Sequence, residues 1–181
     1  MNKFFTHVLL ILIVFVLGCH QKNDYEIGDI ILGEVIKILD GDTYDLLCKN
    51  KKTIRIRMEG IDAPEKGMPF YRVSKSYLGE ICSNREIKVL KTNEDRYGRT
   101  IGYSYLDDGR ELSKEMIKAG LAWHYKQYNS DEELSNFEIE AQKAKNGLWI
   151  HDNPMPPWEN RKLHRKGIST KDLFDIKEGV E

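Results

Sequence analysis

Past residue 30 the chain alternates apolar and polar positions in short bursts. Val35, Ile36 and Ile38 precede a turn at Asp40-Gly41-Asp42, and Leu46 and Leu47 precede a second turn at Lys49–Lys52. The next run is the cleanest. Ile54, Ile56 and Met58 fall on one face and Arg55, Arg57 and Glu59 on the other, the period of two that marks a half-buried strand. Two cations therefore stand opposite the core. Asp62-Ala63-Pro64 stops this strand, because proline has no N–H for a ladder. A helix is predicted around Ser74–Cys82, and strands at Ile87–Val89 and Arg99–Leu106, with Asp107-Asp108-Gly109 as a turn. Leu112, Met116 and Ala119, at i, i+4 and i+7, mark a short amphipathic helix that Gly120 ends. Ser130-x-x-Glu133 reads as a capping box, Leu134, Phe137, Ala141 and Ala144 as an apolar stripe, and Gly147 as the C-cap. Beyond Trp149 the chain is rich in proline, then basic and polar. Strands, a helix, further strands and two helices make an antiparallel α+β domain rather than alternating βαβ units.

The N-terminus follows a different pattern. Lys3 precedes an apolar run from Val8 to Leu17 that ends at Gly18-Cys19. A cation, an apolar stretch and a small residue are the layout of an export signal, and the run is short for a bilayer span, which needs about 20 residues. Val16-Leu17-Gly18-Cys19 resembles the bacterial lipoprotein box, with Cys19 as the lipidated first residue; an ordinary signal peptide or an uncleaved anchor remain open. The expected organisation is a leader over 1–18, a tether over 19–29, one domain over 30–158 and a polar tail over 159–181. The part after the leader is long enough for one real core.

Charge and cysteine content narrow the chemistry. The 181 residues carry 28 Lys+Arg against 29 Asp+Glu, a net charge of −1, so any hold on a polyanion must come from a local cluster. There are three cysteines and no C-x-x-C pair, which argues against a zinc ribbon. An oxidising compartment would permit Cys48 and Cys82 to bond; the sequence leaves their pairing open.

Four short motifs carry candidate chemistry: Asp40-Gly41-Asp42-Thr43, Arg57 five residues before Asp62, Asp62-Ala63-Pro64-Glu65, and Asp95-Arg96-Tyr97-Gly98-Arg99. Each acid pair alone is most simply a solvated turn, and an EF-hand loop is excluded because Lys51 falls where its final Glu must stand. Together they say more. Carboxylates from two turns can converge on a hard cation, and Arg57 and Arg99 can supply forked donors to a phosphate beside it. A spare carboxylate can take a proton from water. Such a set binds the charge-rich transition state of phosphodiester hydrolysis better than its ground state.

From Ile30 to about Trp158 these motifs, with Gly120-Leu121-Ala122, Gly147-Leu148-Trp149 and Pro156-Pro157-Trp158, occur in the order and spacing of the staphylococcal nuclease (thermonuclease, TNase-like or SNase-like) family, which the sequence therefore resembles. The resemblance implies a five-stranded Greek-key OB barrel with three helices and Ca²⁺-dependent hydrolysis of DNA and RNA that leaves 3′-phosphate ends. By position, it implies that Asp42, Asp62 and the Ala63 carbonyl ligate calcium, that Glu65 is the general base, and that Arg57 and Arg99 bind phosphate. Tyr97 and Tyr128 are candidate substrate-binding residues, with surface packing as the alternative. A monomer preferring single-stranded or frayed substrate is expected, tethered to a membrane if Cys19 is lipidated. A non-catalytic OB module that captures nucleic acid is the rival reading; the intact Glu65 argues against it, since a binder gains nothing from an extra negative charge beside phosphate. His124, His151 and His164 lack ligand spacing and are expected at the surface. Trp123, Trp149 and Trp158 are expected to anchor the core or tail, and the Arg161-Lys162 and Arg165-Lys166 cluster to be a solvated tail, with an auxiliary nucleic-acid or membrane-surface contact as the alternative.

Overall fold

Three successive strands, β1 (Ile30–Ile38), β2 (Thr43–Cys48) and β3 (Thr53–Met58), form an antiparallel meander in a computed structural model that describes residues 25–170. The leader and Cys19 lie outside the described residues, as do residues 171–181. A two-residue strand β4 (Ile61–Asp62) follows, then α1 (Tyr71–Cys82), β5 (Glu86–Glu94), β6 (Thr100–Tyr105), α2 (Leu112–Lys118), a second two-residue strand β7 (Trp123–His124), α3 (Glu132–Lys143), a 3₁₀ turn over Gly147–Ile150, and α4 (Pro157–Arg165).

The strands close into a barrel in the order β1-β2-β3-β6-β5. Every barrel pairing is antiparallel except β3 with β6, which is parallel and closes the barrel. Alternation buries Ile56 and Met58 of β3, with Ile31, Val35, Tyr44, Leu46, Ile87 and Val89 from the neighbouring strands. Ile36 departs from the pattern: a register shift between Val35 and Lys37 leaves it 47% exposed. Tyr44 satisfies its buried hydroxyl by donating to Ser104 Oγ at 2.8 Å.

Among the described residues four α-helices, not three, accompany the barrel. The additional one is α4, in what reads as a polar tail. Pro157 opens it at a position where its missing N–H has no consequence, and Asn160 is buried beneath it. At α3 the N-cap is Asp131 rather than Ser130; its carboxylate accepts from the N–H groups of Glu133 and Leu134. The helix ends at Lys143, before Gly147, whose positive φ starts the 3₁₀ turn.

His124 is buried rather than at the surface. Its ring nitrogens meet Ser135 Oγ at 2.9 Å and Asn129 Oδ1 at 3.2 Å, so it ties β7 to α3 and the preceding loop. Cys48 and Cys82 are both buried, free thiols.

Candidate active site

The turn between β1 and β2 carries the first acids. Asp42 accepts from Thr43 Oγ1 at 2.8 Å through Oδ1 and from the Ala63 N–H at 2.7 Å through Oδ2, and its own carbonyl receives the N–H of Met58 at 2.9 Å. The turn is thus clamped to β3 and to the 62–65 loop. Gly41 is required for this approach: a Cβ there would lie 1.8 Å from Ser74 Oγ and 2.9 Å from Ala63 Cβ. The second acid sits on β4, where Asp62 pairs with Trp123 of β7, and Pro64 then releases the chain toward Glu65.

Arg57 joins the two. It lies opposite Thr43 in the β2–β3 register. Its Nη2 stands 3.0 Å from Asp62 Oδ1 and 3.2 Å from Asp42 Oδ2, while Nη1 donates to the Met58 carbonyl at 2.9 Å. All three side chains are nearly buried, at 12%, 7% and 3% exposure for Arg57, Asp42 and Asp62. Burial pushes the Asp62 carboxyl up, the Arg161 hydrogen bond opposes this, and the Asp42 charge adds to the rise. Asp40 is pushed up to about 7, by burial first and then by Asp42.

Arg99 takes a different position from Arg57. The tip of the β5–β6 hairpin is an Asp-centred turn: Asp95 accepts from the backbone N–H of Tyr97 and of Arg99 and from Arg99 Nε at 2.7 Å. Gly98 supplies the positive φ the turn needs. Burial alone would raise the Asp95 carboxyl, but these donors, the Arg99 N–H foremost, hold it below the usual carboxylate range. The Arg96 and Arg99 guanidiniums flank the Tyr97 ring at 5.1 and 5.8 Å from its centroid.

Helix α4 contributes residues that sequence reasoning missed. Arg161 Nη1 donates to Glu65 Oε1 at 2.7 Å and Nη2 to Asp62 Oδ2 at 2.7 Å, and Asn160 Nδ2 reaches Glu65 Oε2 at 3.4 Å. Burial works against the Arg161 charge, but the bonds to Asp62 and Glu65 outweigh it and raise its pKa further. The floor is therefore an interleaved set of three carboxylates and two guanidiniums. A signal for α4 exists in the sequence: Trp158, Arg161, Lys162 and Arg165 stand at i, i+3, i+4 and i+7.

Asp42, Arg57, Asp62, Ala63, Glu65, Tyr97, Arg99 and Tyr128, predicted from well-separated parts of the chain, all line one open cleft of about 1210 Å³. Tyr97 and Tyr128 stand at its rim, 71% and 69% exposed. Tyr128 packs edge-on against Tyr125, which stacks parallel on Trp158 at 5.2 Å. Among the described residues no three His, Cys, Asp or Glu side chains converge to cage a metal by themselves. The donor set nonetheless fits a hard divalent cation: two buried carboxylates that repel each other, oxygen ligands only, and room for water in an open cleft.

A closed five-stranded barrel with helices packed around it and an acid–guanidinium cleft on one side defines an OB-type barrel of α+β class. Residues 55–151 match the family described as "Staphylococcal nuclease homologue", and the chain belongs to that family. It is 40% identical over 136 residues to an Escherichia coli O157:H7 protein described as an uncharacterized endonuclease, covering 75% of this chain and 87% of the relative. It is 37% identical over 147 residues to a micrococcal nuclease of Shigella flexneri, covering 76% and 84%. A staphylococcal-like nuclease of Arabidopsis thaliana is 43% identical over 151 residues, which span 81% of this chain and 46% of that protein.

Proposed function

We propose that the protein is a calcium-dependent nuclease that hydrolyses phosphodiester bonds of DNA and RNA, with single-stranded or frayed substrate preferred, and leaves 3′-phosphate ends. One observation carries this reading: Asp42, Asp62, Glu65 and Arg57 meet at the floor of a cleft open enough for a strand. Asp42, Asp62 and the Ala63 carbonyl would hold the ion, whose positive charge would favour the extra negative charge of the transition state. Glu65 takes the proton of the attacking water. Its oxygens accept from Arg161 and Asn160, and a carboxylate oxygen has a second lone pair with which to accept another proton. The water oxygen bonds to phosphorus, the P–O5′ bond breaks, the departing 5′ oxygen takes a proton from water in the open cleft, and Glu65 returns its own proton to solvent. Arg57 holds the scissile phosphate; Arg99, anchored to Asp95 through Nε, presents its Nη groups on the leaving side.

Digestion of a single-stranded oligonucleotide should require Ca²⁺, stop on chelation, and yield ends that polymerase cannot extend until phosphatase removes the 3′-phosphate. Glu65→Gln should bind but not cut. Binding with no cleavage by the unaltered protein at millimolar Ca²⁺ would instead establish the rival capture module.

Export and lipid anchoring at Cys19 belong to the same proposal and rest on the leader's sequence. Labelled palmitate should enter the protein and fail to enter Cys19→Ala.

A further inference from the structure

We infer that helix α4 is a second nucleic-acid-binding wall, taking the phosphate backbone of a single strand beyond the scissile position through Lys162 and Arg165. This rests on the nuclease reading and extends it to a surface outside the catalytic set. Trp158, Arg161, Lys162 and Arg165 lie on one face of α4, and all four line the same cleft as the acids. Arg161 and Asn160 fasten that face to Glu65 and Asp62, so the helix is held in place against the site. One turn on, Arg165 is exposed and has no carboxylate partner among the described residues, while Lys162 makes one exposed contact with Glu159 at 3.8 Å. Such a contact contributes little, so both cations are available to a ligand.

The ligand's chemistry follows from the stripe. Cations spaced along one wall, beside an aromatic that stacks on Tyr125, are what a single-stranded polyanion with planar bases requires. Arg96 and Tyr97, a second cation–aromatic pair, line the same cleft. With the whole chain at −1, bulk charge supplies no attraction, and these local cations must provide it.

The test is binding of a fluorescein-labelled oligothymidylate to the protein in EDTA across a salt series. Relative to the unaltered protein, Lys162→Ala/Arg165→Ala should flatten the plot of log affinity against log salt by about 1.4, two phosphate contacts on a single strand. Lys49→Ala/Lys88→Ala, which removes two cations outside the cleft, should leave the slope unchanged. An unchanged slope in the α4 variant overturns the inference. So does loss of binding to phosphatidylglycerol vesicles with no change toward the oligonucleotide, which assigns the face to lipid. Adding Ca²⁺ to the unaltered protein tests cleavage separately: no cleavage with the slope shift intact removes the nuclease reading and keeps α4 as a binding wall.

Discussion

Arg57 holds the floor of the cleft together, and in the proposed reaction it also binds the phosphate. Its guanidinium separates two nearly buried carboxylates, so Arg57→Ala leaves like charges facing each other and should cost about 3–5 kcal/mol in urea unfolding. Arg57→Lys keeps the charge and should recover much of that stability. It should not recover activity, where loss of the forked donor costs about 2.7–4 kcal/mol of transition-state stabilisation. Parallel recovery of both in the lysine variant would show that charge alone matters. Glu111 is a different case, away from the cleft. Its Oε1 is buried with no hydrogen-bond partner among the described residues, and burial raises its pKa, opposed by Lys114. A carboxyl raised on folding contributes its stability below the ordinary carboxylate range, and that contribution is lost as pH rises through the raised value. Glu111→Gln should therefore match the unaltered protein at pH 4 and gain on it by pH 7.5, measured by urea midpoints.

Among the elements, the strands were the most legible. Strict alternation at Ile54–Met58 fixes which face meets the core, and the same rule sets Arg57 on the cleft side. Helix ends were less so, because several polar residues compete to cap. Ser130 and Asp131 both suit the N-cap of α3, and the carboxylate takes it; Asp131→Ala should lower the melting stability by about 1 kcal/mol, Ser130→Ala far less. The helical spacing of Trp158, Arg161, Lys162 and Arg165 was there to be read, but where α4 docks was not. A nine-residue polar helix has no apolar stripe to announce it, and what fixes it is tertiary: Asn160 and Arg161 bonding to acids 95 to 99 residues earlier in the chain. The burial of His124 was hidden for the same reason, since its partners Ser135 and Asn129 are brought together only when β7 meets α3. Motif order could announce the acids and arginines. It could not show that Arg99 pairs with Asp95 while Arg57 pairs with the two floor acids.

At the scale of the whole molecule, near-neutral net charge conceals strong local separation. Cations and acids concentrate along one cleft, so substrate affinity should fall with salt even though the protein as a whole repels polyanions slightly. The free state of Cys48 and Cys82 makes a further expectation plain: reductant should leave the melting temperature unchanged, where breaking a native disulfide would lower it. The acids of the floor already have counter-charges within the chain, because Arg57 and Arg161 offset two of the three negative charges of Asp42, Asp62 and Glu65. A molecule with built-in counter-ions can fold in a mineral-poor medium and survive there intact. If the ion is the proposed calcium, its catalytic output would rise and fall reversibly with the hardness of the surrounding water.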